Sequence, residues 1–133
     1  MFDLLGIDWG EKNCGLALAD SSTGLTLPLE GSSNAMLLNI ITKLLEKYST
    51  ISKVIVGIPT NFKGQETILT TKIKEFVSIL KSKLAPKIQI ITVNERGSSK
   101  PFQIDQKLQK KQLIDSLSAA QILKFYLKLE SHA

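Results

Sequence analysis

Residues 54–56, Val-Ile-Val, form an unbroken apolar run that Gly57-Ile58-Pro59 brings to an end. A strand with one wet face alternates apolar and polar residues, so a run with no polar member must be covered on both sides. Residues 88–93 read as a further buried strand, and a helical stripe precedes each of the two. Leu37, Ile40, Ile41, Leu44, Leu45 and Tyr48 make the first stripe, and Leu69, Ile73, Phe76, Val77 and Leu80 the second. Helix and strand in alternation demand a sheet with parallel members and helices packed on it.

The start of the chain is built differently. Three short apolar segments, 2–7, 15–19 and 25–29, follow one another too closely for helices between them, and Ser21-Ser22-Thr23-Gly24 supplies the second turn. Ser32-Ser33-Asn34 offers an N-cap for the first helix. The segment 97–111 is polar and broken by Pro101, with Ile104 and Leu108 marking one or two short helical turns, and residues 113–129 read as the last helix. The order β-β-β-α-β-α-β-α defines an α/β domain. A three-strand meander extended by right-handed crossovers gives a five-stranded mixed sheet, order 3-2-1-4-5, with helices on both faces. That arrangement resembles the ribonuclease H-like fold.

No internal repeat or linker divides residues 1–133, so a single domain is expected. No stretch approaches the ~20 apolar residues of a membrane span, and no basic-then-apolar leader opens the chain. Membrane partners are therefore not expected. A lone cysteine, Cys14, can form no intrachain disulfide, which fits a cytoplasmic setting. The net charge of +5 is uneven: residues 1–80 sum to −1 and residues 81–128 to +7. A basic half beside an acidic site suits a polyanionic partner.

Three acids stand out from the local pattern. Asp8 closes the first strand, where a buried charge costs several kcal/mol unless compensated, and a bound cation is the usual compensation where phosphate is handled. Glu95 closes the last strand beside Arg96, the sole arginine, which is suited to clamping phosphate in a bidentate way. Asp115 shares a helical face with Ala119, Ile122 and Tyr126, and no basic residue stands at 118 or 119 to pair with it. Each has a plainer reading as well: Glu95–Arg96 as a surface charge pair, Asp115 as a first-turn acid favoured by the helix dipole. Three carboxylates brought together repel one another unless a divalent ion joins them. Mg²⁺ or Mn²⁺ fits oxygen ligands and supports phosphodiester hydrolysis without a histidine base. The only histidine, His132, lies next to the end of the sequence.

Gly6-Ile7-Asp8-Trp9-Gly10, Lys12 and Gly15-Leu16-Ala17-Leu18-Ala19-Asp20 resemble the opening motif of the YqgF/RuvX-type family. Val56-Gly57-Ile58-Pro59 with Gly64, Asn94-Glu95-Arg96, and Asp115 with Ser116-Leu117-Ser118-Ala119-Ala120 resemble its later motifs, in the same order. Members of that family are described as Holliday junction resolvases and as pre-16S rRNA nucleases. The resemblance implies a cytoplasmic nuclease whose metal ligands and catalytic residues are Asp8, Glu95 and Asp115. It implies an RNA precursor as substrate in preference to a DNA junction. Lys12, Arg96, Ser98, Ser99, Lys107, Lys110 and Lys111 are the expected substrate contacts.

The chain departs from the family at Asn94, where an Asp is usual, at Gly97-Ser98-Ser99, and in a shortened stretch from Lys100 to Gln112. These changes touch substrate grip more than metal binding. With one strand between the first and the last, about 9–10 Å separates their axes, so Glu95 must reach across. A weak metal site that tightens with substrate is expected. Rival readings are an actin-like ATPase, for which a single domain of this length is too short, and a nucleic-acid-binding assembly module without turnover. No exposed apolar stripe argues for a dimer, and a monomer is expected.

Overall fold

The computed structural model describes residues 1–59, 67–84, 86–94 and 111–131, the side chains of 111–115 excepted. Its elements in chain order are β1 (Leu4–Asp8), β2 (Asn13–Ala19), β3 (Thr26–Pro28), β4 (Ser32–Ser33), a 3₁₀ turn (Asn34–Met36), α1 (Leu37–Lys47), β5 (Lys53–Ile58), α2 (Ile68–Leu84), β6 (Gln89–Asn94) and α3 (Lys111–Ser131). The mixed sheet runs β3-β2-β1-β5-β6, with β4 attached to β2. β1 pairs antiparallel with β2 and parallel with β5, and β5 pairs parallel with β6.

Among the described residues six strands stand where five were expected. The extra one is β4, where Ser32 and Ser33 pair with Cys14 and Asn13 instead of capping a helix. Ser33 does precede the 3₁₀ turn, yet its side chain makes no capping hydrogen bond. Backbone pairing to β2 satisfies this segment where a side-chain cap was expected.

The sheet separates two cores. On one face, Leu5, Ile7, Leu16, Leu18, Val54, Val56 and Ile90 pack against Leu37 and Ile41 of α1 and Ile73, Phe76, Val77 and Leu80 of α2. On the other, Leu4, Ala17, Ala19, Ile55 and Val93 meet Ala119, Ala120, Ile122, Leu123 and Tyr126 of α3. Val54, Ile55 and Val56 are fully buried, with side chains divided between the two cores, as an unbroken apolar run requires. Leu69 does not join the buried stripe of α2; it is 36% exposed. Thr70 is buried in its place because its hydroxyl donates to the Pro59 carbonyl at 3.0 Å, which ties the start of α2 to the end of β5.

The α3 face is lined with small residues, and the helix lies correspondingly close. A Cβ on Gly6 would meet Leu123 Cγ at 2.6 Å and the Ala119 carbonyl oxygen at 2.9 Å. Only a glycine lets α3 settle at this depth. Among the described residues no helix is long and apolar enough to cross a membrane.

Candidate nuclease site

β1, β5 and β6 run parallel and so end at one edge of the sheet: Ile7 is level with Val56, and Ile58 with Asn94. The three α-helices among the described residues start at that same edge. Asn34, just before α1, donates from its side-chain amide to the Gly10 carbonyl at 2.7 Å. Thr70 anchors the start of α2 on Pro59. The fully buried Ser116 accepts at 3.4 Å from the amide of Leu16, which is the register partner of Ile7. Strand C-termini and helix N-termini together make an electropositive rim, the usual place for anionic ligands in open sheets of this kind.

Asp8 ends β1 in the middle of this rim and is half-buried. Its backbone therefore lies at the edge of the sheet where the helices begin. The turn that follows is tightly fixed. A Cβ on Gly10 would collide with the Asn13 carbonyl oxygen, so this position admits no side chain. The Gly10 amide donates to Cys14 Sγ at 3.5 Å, and the thiol donates back to the Gly10 carbonyl at 3.4 Å. The Asn34 amide donates to the Lys12 carbonyl at 2.9 Å. Cys14 is fully buried in this lattice of contacts and serves the turn.

Lys12 is exposed on that turn. Beside it, Glu11 pairs with Lys72 of α2 at 2.5 Å, and the lysine's hydrogen bond and charge hold the Glu11 carboxyl below its ordinary value. The pair straps the turn to α2 and leaves Lys12 on the outside.

The other expected site residues divide into two groups. Asp115 and Lys111 lie in the first turns of α3; only their backbone is described. Asp115 immediately precedes Ser116, so its backbone sits at the Asp8 edge. Glu95, Arg96, Ser98, Ser99, Lys107 and Lys110 lie outside the described residues, although Glu95 directly follows Asn94, the last residue of β6. Among the described residues no three His, Cys, Asp or Glu side chains group to hold a metal ion, and Asp8 is the one expected ligand whose side chain is described. Sequence reasoning missed Ser116 and the true role of Asn34. A small polar residue on an otherwise apolar helical face was the available signal for Ser116, and nothing local signalled Asn34.

Residues 3–129 match the family described as "RuvX: Holliday junction resolvase". A protein of Sulfurihydrogenibium sp. (strain YO3AOP1) named "Putative pre-16S rRNA nuclease" is 39% identical over 132 residues, covering 96% of this chain and 90% of that protein. A protein of the same name from Flavobacterium psychrophilum is 37% identical over 136 residues, covering 93% and 95% respectively. Among solved structures, Fowlpox virus resolvase in complex with Holliday junction DNA superposes with a TM-score of 0.58 at 14% identity, covering 97% of this chain and 98% of that one, a likeness of fold. With the motifs in order along nearly the whole chain and relatives of this similarity, the protein belongs to the RuvX family.

Proposed function

We propose that this chain is a metal-dependent nuclease that hydrolyses phosphodiester bonds in the cytoplasm, with the 5′-extended precursor of 16S rRNA as its substrate. The observation that carries the reading is the half-buried carboxylate of Asp8, set at the edge where parallel strand ends and helix N-termini converge. The names of its relatives point to the same chemistry. A ribonuclease H-like arrangement of the sheet fits that role.

The donor chemistry suits a hard divalent ion. Asp8 offers oxygen ligands at a partly desolvated position, and the chain carries carboxylates at 95, directly after β6, and at 115, on the first turns of α3. In this proposal Asp8, Glu95 and Asp115 hold Mg²⁺ or Mn²⁺. When bound, such an ion supplies Lewis acidity at the scissile phosphate and makes water a competent nucleophile near neutral pH. The protein does the rest. The Gly10–Cys14–Asn34 contacts fix the turn that follows Asp8 and so hold its backbone at the strand end. Helix N-termini favour the approach of the phosphate backbone. Arg96 clamps a phosphate oxygen pair, and Lys12, Lys107, Lys110 and Lys111, with Ser98 and Ser99, grip the flanking strand.

The test is cleavage of a labelled 5′-extended rRNA precursor beside a four-way DNA junction, in Mg²⁺ or Mn²⁺ and in EDTA. Metal-dependent cutting of the RNA that Asp8→Asn and Asp115→Asn both abolish is the expected result. Cutting of the junction alone would favour the second reading, a DNA resolvase, which the family's description supports. Binding without cutting under every metal condition would refute the enzyme.

A further inference from the structure

Trp9 follows Asp8 directly, and side chains alternate across a sheet, so the two occupy opposite faces of the same strand end. Gly6 faces α3, as its contacts with Ala119 and Leu123 require, which puts Asp8 on that side and Trp9 on the other. There Trp9 packs at the edge of the α1–α2 core, half-buried, with its ring tilted 40° to Phe76 at 6.3 Å between centroids. Together they floor a cleft of about 370 Å³ between α1 and α2. Leu38 walls one side and Ile79, 44% exposed, forms the open lip.

The polar groups at this cleft are unlike those of a phosphate site. Lys72 at the mouth is already paired with Glu11. Glu75 lines the cleft and is exposed, and a carboxylate there repels phosphate while accepting readily from an amine. An apolar, aromatic-floored slot with an acceptor at its rim, one residue from the candidate metal ligand, fits a neutral flat ring with an exocyclic amine. The base it takes must be unpaired, because the amine that Glu75 would accept from lies on the pairing edge.

We propose that this cleft holds one unpaired nucleobase of the substrate strand, stacked on Trp9 with its amino group donating to Glu75. The proposal rests on the nuclease reading and deepens it. The strand bends over the end of β1, with its scissile phosphate on the Asp8 side and a neighbouring base on the Trp9 side. Adenine, cytosine and guanine offer the required amine at the Watson–Crick edge; uracil offers only a ring N–H flanked by two carbonyl oxygens, which Glu75 repels. The cleft thus selects for single-stranded substrate and for an amino-bearing base beside the cut.

Trp9 is the sole tryptophan, so its fluorescence reports this cleft alone. The full chain carrying Asp8→Asn, in EDTA, is titrated with short oligo(A), oligo(C) and oligo(U), and binding is followed in parallel by anisotropy of an end label. Quenching of Trp9 by oligo(A) and oligo(C) at concentrations about tenfold below those needed for oligo(U) is expected, as is an affinity loss of about tenfold in Trp9→Ala, with Trp9→Phe close to the parent. Ile79→Asp, at the exposed lip, weakens binding with core packing intact. Oligonucleotide binding without change in Trp9 emission would overturn the proposal, as would equal affinity of Trp9→Ala. Quenching by an apolar peptide but not by RNA would overturn it too, and would give the cleft to a protein. Quenching in this variant together with no cleavage by the parent chain in Mg²⁺ or Mn²⁺ would refute the nuclease reading and leave the nucleobase site standing; metal-dependent cleavage by the parent chain without quenching in the variant would do the reverse.

Discussion

Replacing Gly6 with alanine tests whether α3 lies where it does because β1 leaves room for it. The new Cβ would lie 2.6 Å from Leu123 Cγ and 2.9 Å from the Ala119 carbonyl oxygen, where ordinary contacts begin near 3.4 Å. Leu123 can rotate away, but the carbonyl belongs to the helix backbone, so α3 must retreat by about 0.5 Å at Ala119. Overpacking of this kind costs roughly 1–3 kcal/mol. At about 2.1 cal/mol/K per residue, a chain of 133 residues has an unfolding entropy near 0.3 kcal/mol/K, so Tm should fall by roughly 4–11 °C. Calorimetry or circular dichroism reads this directly. Nuclease activity should fall further than stability does, because the same helix carries Asp115 and misplacement by about 1 Å can cost about a hundredfold in rate. Leu123→Ala alone should cost about 2–5 kcal/mol by opening a cavity. Combined with Gly6→Ala it should cost less than the sum, by roughly 0.5–3 kcal/mol, since the cavity accepts the new methyl group. An unchanged Tm for Gly6→Ala, or strict additivity with Leu123→Ala, would refute the close-packing argument.

Two further outcomes follow from single contacts. Ser116→Ala removes the hydroxyl that meets the Leu16 amide, leaves a buried donor unpaired, and should lower stability by about 1–3 kcal/mol in denaturant melts. The Glu11–Lys72 pair predicts a pH dependence. Because Lys72 lowers the carboxyl pKa in the folded state, the stabilisation is complete above the ordinary value of 4.5 and is lost as pH falls through the folded value. Glu11→Gln should flatten that limb of a Tm-against-pH curve, and high salt should do the same to the parent, since the pair is exposed.

Much of the architecture was legible because burial on two faces leaves a periodic trace. Val54-Ile55-Val56 announced a central strand, and the stripe through Ile73, Phe76, Val77 and Leu80 announced the helix that covers it. Leu69 fits the same periodicity but lies at the first turn of α2, where the tether from Thr70 to Pro59 sets the rotation of the helix. β4 left no trace, since two serines carry no hydrophobic pattern and their pairing is decided by where β2 begins. In the site, Asp8 was legible as a charge at a strand end. Asn34 was not, because its partner Gly10 lies across a turn that exists only once β1 and β2 have paired. Ser116 was hidden for a related reason: its partner, Leu16, is 100 residues away in the chain.

That hundred-residue span has a kinetic side. The hairpin of β1 and β2 can form early from local contacts, yet its small-residue face stays bare until α3, the last described element, arrives to cover it. Closing so long a loop is slow and comes late in folding. On a ribosome, which releases chain from the N-terminus, Asp8 is made more than a hundred residues before its partner helix emerges. If the proposed site needs Asp115, a nascent chain that lacks α3 cannot cut, and competence for cleavage is switched on only once α3 has been made and has folded onto the sheet.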